Sequence, residues 1–142
     1  MPSTIEKTVD VEAPISVVYD QWTQFEKFPL FMEGVTKVEQ LTDTTLRWTA
    51  EIGGTTREWT AQITEQVPDV RVAWKSTSGA ENAGIISFLP IENGTRVTAR
   101  MTYDPEGFLE NVSDFLGFIS LRVQGDMERF KEFVESRGRE TD

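Results

Sequence analysis

The stretch 107–137, GFLENVSDFLGFISLRVQGDMERFKEFVESR, carries apolar residues at steps of three and four: Phe108, Val112, Phe115, Leu116, Ile119, Val123, Met127, Phe130 and Val134. That spacing places them in one stripe on a single helix of about 27 residues, roughly 40 Å long at 1.5 Å per residue. Gly117 and Gly125 lie inside it, where glycine costs up to about 1 kcal/mol relative to alanine and leaves room for a bend or a close approach. Gly138 predicts the helix end. A stripe this long needs an apolar surface to cover.

The preceding chain supplies that surface as strands. Residues 4–11 alternate, with Ile5, Val9 and Val11 against Glu6, Thr8 and Asp10. Ala13-Pro14 breaks the strand, and two short helices are expected over 14–23 and 24–30, the second limited by Pro29. From Gly34 onward, strand patterns cover 35–41, 45–52, 56–66, 70–76, 83–89 and 95–103, separated by Thr42-Asp43, Gly53-Gly54, Pro68-Asp69, Ser78-Gly79 and Asn93-Gly94. Alternation sorts the strands into faces. Leu46, Trp48, Ala50 and Ile52 share one face with Trp59, Ala61 and Ile63, with Val70, Val72 and Trp74, with Gly84, Ile86 and Phe88, and with Val97, Ala99, Met101 and Tyr103. Glu51 and Glu58 fall on the opposite, polar face. The fold class is therefore α+β: a seven-stranded curved antiparallel sheet wrapped around one long C-terminal helix, with two short helices between strands 1 and 2. Residues 1–142 read as one domain.

Composition narrows the chemistry. The chain has no cysteine and no histidine, which removes disulfides, thiolate nucleophiles, Cys/His zinc sites and imidazole acid–base catalysis. No calcium loop motif or glycine-rich phosphate loop is present, so no metal and no cofactor is expected. With 14 basic and 24 acidic side chains the net charge is −10, which repels nucleic acid and favours solubility. No apolar run is long enough to span a bilayer, so stable membrane insertion is not expected. The N-terminus lacks a signal-peptide pattern, and a cytoplasmic location follows as the expectation.

A curved sheet cannot touch a long helix along its whole length, so the space between them is either filled by side chains or left as a pocket. Its walls would be aromatic: Phe25, Phe28, Trp48, Trp59, Trp74, Phe88, Tyr103 and Phe115, with Met32, Met101 and Ile119 beside them. Each alone could be plain core. Three inward tryptophans together favour a ligand cavity.

Several motifs resemble one family. Val11-x-Ala13-Pro14-x-x-x-Val18-Tyr19-Asp20-x-Trp22 is followed by Phe25-x-x-Phe28-Pro29-x-Phe31-Met32-x-Gly34-Val35. Trp74-x-Ser76-x-x-Gly79, Asn82-Ala83-Gly84, Phe88, Gly94-Thr95-Arg96-Val97-Thr98 and Tyr103-x-Pro105-x-Gly107 continue the pattern. Together they resemble the polyketide cyclase/dehydrase and lipid-transport branch of the START-like (SRPBCC) superfamily, over nearly the whole chain. The resemblance implies a helix-grip fold with a deep cavity between sheet and C-terminal helix, reached near the two short helices. It carries no universal catalytic motif, and fold does not fix function.

Three functions compete on these residues. The first is a binding module for a small hydrophobic or amphipathic molecule (a lipid, isoprenoid or polyketide-like compound), working as a monomer or weak dimer, with a gate between Gly107–Phe108 and residues 25–32. The second is a cyclase or dehydratase whose acid–base groups would be carboxylates, Tyr103 or water, and which would need a carboxylate of raised pKa inside the cavity. The third is an interaction or chaperone-like partner of a membrane or quinone-handling complex, marked by an exposed apolar patch at residues 30–32.

Overall fold

The computed structural model describes residues 3–52, 54–79, 81–103 and 112–141, with side chains described for 4–51, 54–79, 81–102 and 120–136. Strand β1 (Ser3–Val11) leads into helix α1 (Ile15–Trp22) and a 3₁₀ helix (Phe25–Leu30). Six strands follow: β2 (Val35–Gln40), β3 (Thr45–Ile52), β4 (Thr55–Val67), β5 (Arg71–Gly79), β6 (Asn82–Ile91) and β7 (Gly94–Tyr103), and helix α2 (Val112–Thr141) closes the chain. All strand pairs are antiparallel, in the order β1-β7-β6-β5-β4-β3-β2. The two short helices thus carry the chain from one edge of the sheet to the other.

The sheet curls, as the sequence predicts. Register shifts between Thr60 and Ala61 and between Ile63 and Glu65 interrupt the β4–β5 pairing, and another lies between Val35 and Lys37 on β2. Extra residues of this kind bend a strand and increase its twist; Thr64 is the extra residue on the 13-residue β4, Thr77 the one on β5 and Thr36 the one on β2. Nothing in the hydrophobic alternation announces them.

Helix α1 starts where Pro14 stops the strand. Pro14 is its N-cap rather than a residue of its first turn, and its carbonyl takes the first helical hydrogen bonds, from Val17 at 3.0 Å and Val18 at 3.1 Å. The fully buried Thr95 ties this start to the sheet, its Oγ1 donating to the Ala13 carbonyl at 2.9 Å.

On α2 the described part of the stripe behaves as expected: Val123, Met127, Phe130 and Val134 are buried in the core. Phe130, the largest fully buried side chain, meets Trp22 edge-on at 5.0 Å and Phe31 at 5.2 Å. Three local expectations are corrected. Helix α2 runs through Gly138 to Thr141 instead of ending there, since a glycine stops a helix only where the chain turns into a left-handed conformation. Val70 is exposed, because it belongs to the turn before β5 and not to the strand's inner face. The space at Gly125 is taken by the Arg129 guanidinium, not by the sheet. The expected gate at Gly107–Phe108 lies outside the described residues.

Candidate functional site

Between the inner face of the sheet, the 3₁₀ helix and α2 lies a cavity of about 120 Å³. Its size is of the order of the ~150 Å³ apolar cavities that hold one benzene ring. Its wall starts from register: Trp48 on β3 is paired directly with Trp59 on β4, and the rings stack with centroids 5.7 Å apart and planes 10° apart. Phe28 of the 3₁₀ helix packs on Trp48 at 5.3 Å, and Trp22 packs on Phe28 at 5.1 Å. The three-residue spacing of Phe25, Phe28 and Phe31 brings all three inward, with Phe25 and Phe31 each 5.7 Å from Phe28 in edge-on contact. The Trp48 indole N–H is shut off from solvent and has no acceptor among the described residues.

Trp74 is held more firmly. Its indole N–H donates to Asn82 Oδ1 at 3.0 Å, and the Asn82 backbone N–H donates to Ser76 Oγ at 2.9 Å. Its register partner is Gly84, and a Cβ there would stand 2.5 Å from the indole ring. Trp74, Ser76, Asn82 and Gly84 therefore act together, holding an indole against a bare backbone at the cavity wall.

One side of the cavity is polar. Arg122, Asp126 and Arg129, at helical spacing on α2, reach across to the turn between the 3₁₀ helix and β2. Arg122 Nη1 donates to the Glu33 carbonyl at 2.7 Å, Arg129 Nε donates to the Phe31 carbonyl at 2.8 Å, and Asp126 Oδ1 accepts from the Glu33 backbone N–H at 3.0 Å and from Arg129 Nη2 at 2.5 Å. Gly34 makes this clasp possible. Its φ of +89° is left-handed, and a side chain there would collide with the Arg122 guanidinium. Burial pushes the Asp126 carboxyl up to about 6, against the opposing pull of the Arg129 hydrogen bond, the Glu33 N–H and the Arg122 charge.

Of the residues predicted from sequence, Phe25, Phe28, Met32, Trp48, Trp59, Trp74 and Met101 all line this cavity. Phe88 does not. It is buried further along the inner face of β6, edge-on to Tyr19 at 5.5 Å, where alternation correctly points it inward but the space is solid core. The side chains of Tyr103, Phe115 and Ile119 lie outside the described residues. Glu51 and Glu58 are exposed as expected, Glu58 pairing with Arg47 at 3.4 Å. Of the expected patch at residues 30–32, Leu30 is 65% exposed while Phe31 is buried and Met32 half-buried, so one leucine stands where a docking patch would need several. Among the described residues no group of acidic or metal-binding side chains could hold a metal ion, and no helix is long and apolar enough to cross a membrane. The sequence reading missed Asn82, Glu33, Arg122 and Asp126. The last two flank the apolar stripe at steps of three to four residues from it, a signal that marks a helix face without saying what it meets.

A curled sheet gripping a long helix over an apolar cavity defines a START-like helix-grip protein. Residues 11–132 match the family model described as polyketide cyclase / dehydrase and lipid transport, and the chain belongs to that family. It is 45% identical over 141 residues to a 17.2 kDa uncharacterized protein of Streptomyces lincolnensis, covering 98% of this chain and 94% of the relative. Among solved structures, the Zhui aromatase/cyclase of a Streptomyces strain superposes with a TM-score of 0.81 at 15% identity, covering 96% of each chain. A START superfamily protein of Mycobacterium smegmatis superposes with a TM-score of 0.75 at 14% identity, over 98% of this chain and 99% of that one. At these identities the two structures speak for the fold alone.

Proposed function

We propose that this protein binds a small hydrophobic or amphipathic molecule, of the lipid, isoprenoid or polyketide-like class, between its sheet and C-terminal helix. The observation that carries the reading is the cavity itself: an apolar space walled by Trp48, Trp59 and Trp74, with one polar side formed by Glu33, Arg122 and Asp126. Burying apolar ligand surface there is worth roughly 25 cal/mol per Å². The volume suits one ring or one branched segment of a larger molecule. The polar side formed by Glu33, Arg122 and Asp126 supports an amphipathic ligand over a pure hydrocarbon, because a ligand with no polar group would strip those side chains of water and return nothing. Native mass spectrometry of the protein from its own cells, followed by extraction, tests the reading. A discrete added mass that is lost in Trp74→Ala, Trp48→Ala and Trp59→Ala supports it, and indifference of all three variants to the ligand overturns it.

A second reading, catalysis of the cyclase or dehydratase type, draws on Asp126. Its carboxyl is raised to about 6 and lines the cavity, as an acid–base group would. Turnover of a polyketide-like substrate that vanishes in Asp126→Asn while binding persists would favour it over simple carriage.

A further inference from the structure

Asp126 uses only half of its hydrogen-bonding capacity. Both of its bonds, from the Glu33 N–H and from Arg129, end on Oδ1. Oδ2 accepts no hydrogen bond among the described residues, on a side chain that lines the apolar cavity and is 16% exposed. That oxygen keeps a little contact with water, so a ligand that fills the cavity strips the water away and must bring a donor in its place. We propose that Asp126 Oδ2 is a ligand anchor, and that the cavity selects a neutral ring compound bearing a hydroxyl, such as a phenol or ring alcohol, over the matching hydrocarbon.

The surrounding charges decide which donor. Arg122 and Arg129 approach Asp126 from α2 itself, and Glu33 from the facing turn, with Arg129 Nη1 3.6 Å from the Glu33 carboxylate. Two arginines and two carboxylates already balance, so an ammonium would meet guanidinium repulsion and a ligand carboxylate would meet Asp126. A neutral hydroxyl meets neither. The cavity volume of about 120 Å³ limits the part of the ligand held inside it to about one ring, and the tryptophan wall offers that ring stacking faces.

This inference rests on the binding reading above, and its test separates the two. Phenol and toluene are nearly the same size, and a cavity with no anchor prefers toluene because the hydroxyl loses its water. Affinities of both probes are measured by tryptophan fluorescence and calorimetry. At about pH 7.5 phenol is expected to bind roughly tenfold tighter than toluene, the size of one hydrogen bond to a charged group. In Asp126→Asn, whose amide replaces the free oxygen with a donor, the ratio should drop to about one or below. In the unmodified protein the same ratio should fall as pH is lowered through about 6, where Asp126 gains its proton, and this second measurement does not depend on the variant folding. If toluene binds as tightly as phenol, or the ratio survives both changes, the anchor is overturned while the cavity reading stands. If neither probe binds, the cavity reading falls and the anchor with it.

Discussion

Trp74 donates its indole N–H to Asn82 Oδ1 at 3.0 Å while its ring lies against the bare backbone of Gly84. Glycine in mid-strand normally weakens a sheet, and here it marks a close approach. Gly84→Ala should therefore cost about 1–3 kcal/mol, the usual range for overpacking. The cost should largely disappear in a Trp74→Ala background, because the clash then has no partner. Urea unfolding of the two single variants and the double variant measures this. Equal cost of Gly84→Ala in both backgrounds would show that the indole does not occupy that space.

Gly34 faces two demands, a left-handed φ of +89° and the Arg122 guanidinium. Gly34→Ala should destabilise by about 1–3 kcal/mol through backbone strain and steric conflict together. Arg122→Ala should remove the steric part and leave the strain, so the two substitutions should be less than additive in thermal unfolding. Full additivity would mean that the clasp does not depend on the glycine.

The Thr95 hydroxyl is the tie between the α1 start and β7. Thr95→Val keeps the volume and leaves the Ala13 carbonyl without its donor. An expected loss of about 1–2 kcal/mol follows from an unmet buried acceptor. A valine variant with an unchanged denaturation midpoint would assign the tie no energetic role.

Asp126 makes stability depend on pH in the direction opposite to a salt-bridged surface carboxylate. Burial raises its folded-state value from 3.8 to about 6, so between those values the folded protein holds a proton that the unfolded chain has released. The contribution is fully present below the unfolded value and is lost as pH rises through about 6. Asparagine does not titrate. The stability of Asp126→Asn relative to the parent should therefore improve by about 2 kcal/mol between about pH 4 and pH 7, most of what a shift of roughly two units at 1.36 kcal/mol each supplies. Denaturant midpoints at both ends of that range provide the check. A constant difference would mean that burial does not hold the proton on Asp126.

Strand alternation, turn residues and the helical stripe were legible in the sequence because each is a local, periodic signal. They place Leu46, Trp48 and Ala50 on one face, Val123, Met127 and Phe130 on one stripe, and seven strands in front of one long helix. The absence of cysteine and histidine was equally plain, and it removes thiolate and imidazole chemistry whatever the fold. Periodicity also turned Phe25, Phe28, Trp48, Trp59, Trp74 and Met101 inward, and all six line one cavity.

What the local pattern does not contain is how far along a face the space stays open. Phe88 points inward as its alternation requires, yet Tyr19 fills the space in front of it. Nor does a pattern name partners across the fold. Glu33 lies 93 residues from Asp126 and 89 from Arg122, and no spacing within either segment joins them. Their meeting depends on the bulges that curl the sheet, on the antiparallel register and on where α2 crosses the turn. The sequence by itself determined the layers, the inward faces and the chemistry excluded. Only the tertiary structure decided that one carboxylate would be drawn into an apolar cavity with an oxygen to spare, because that depends on distances between elements, which periodicity along a chain does not encode.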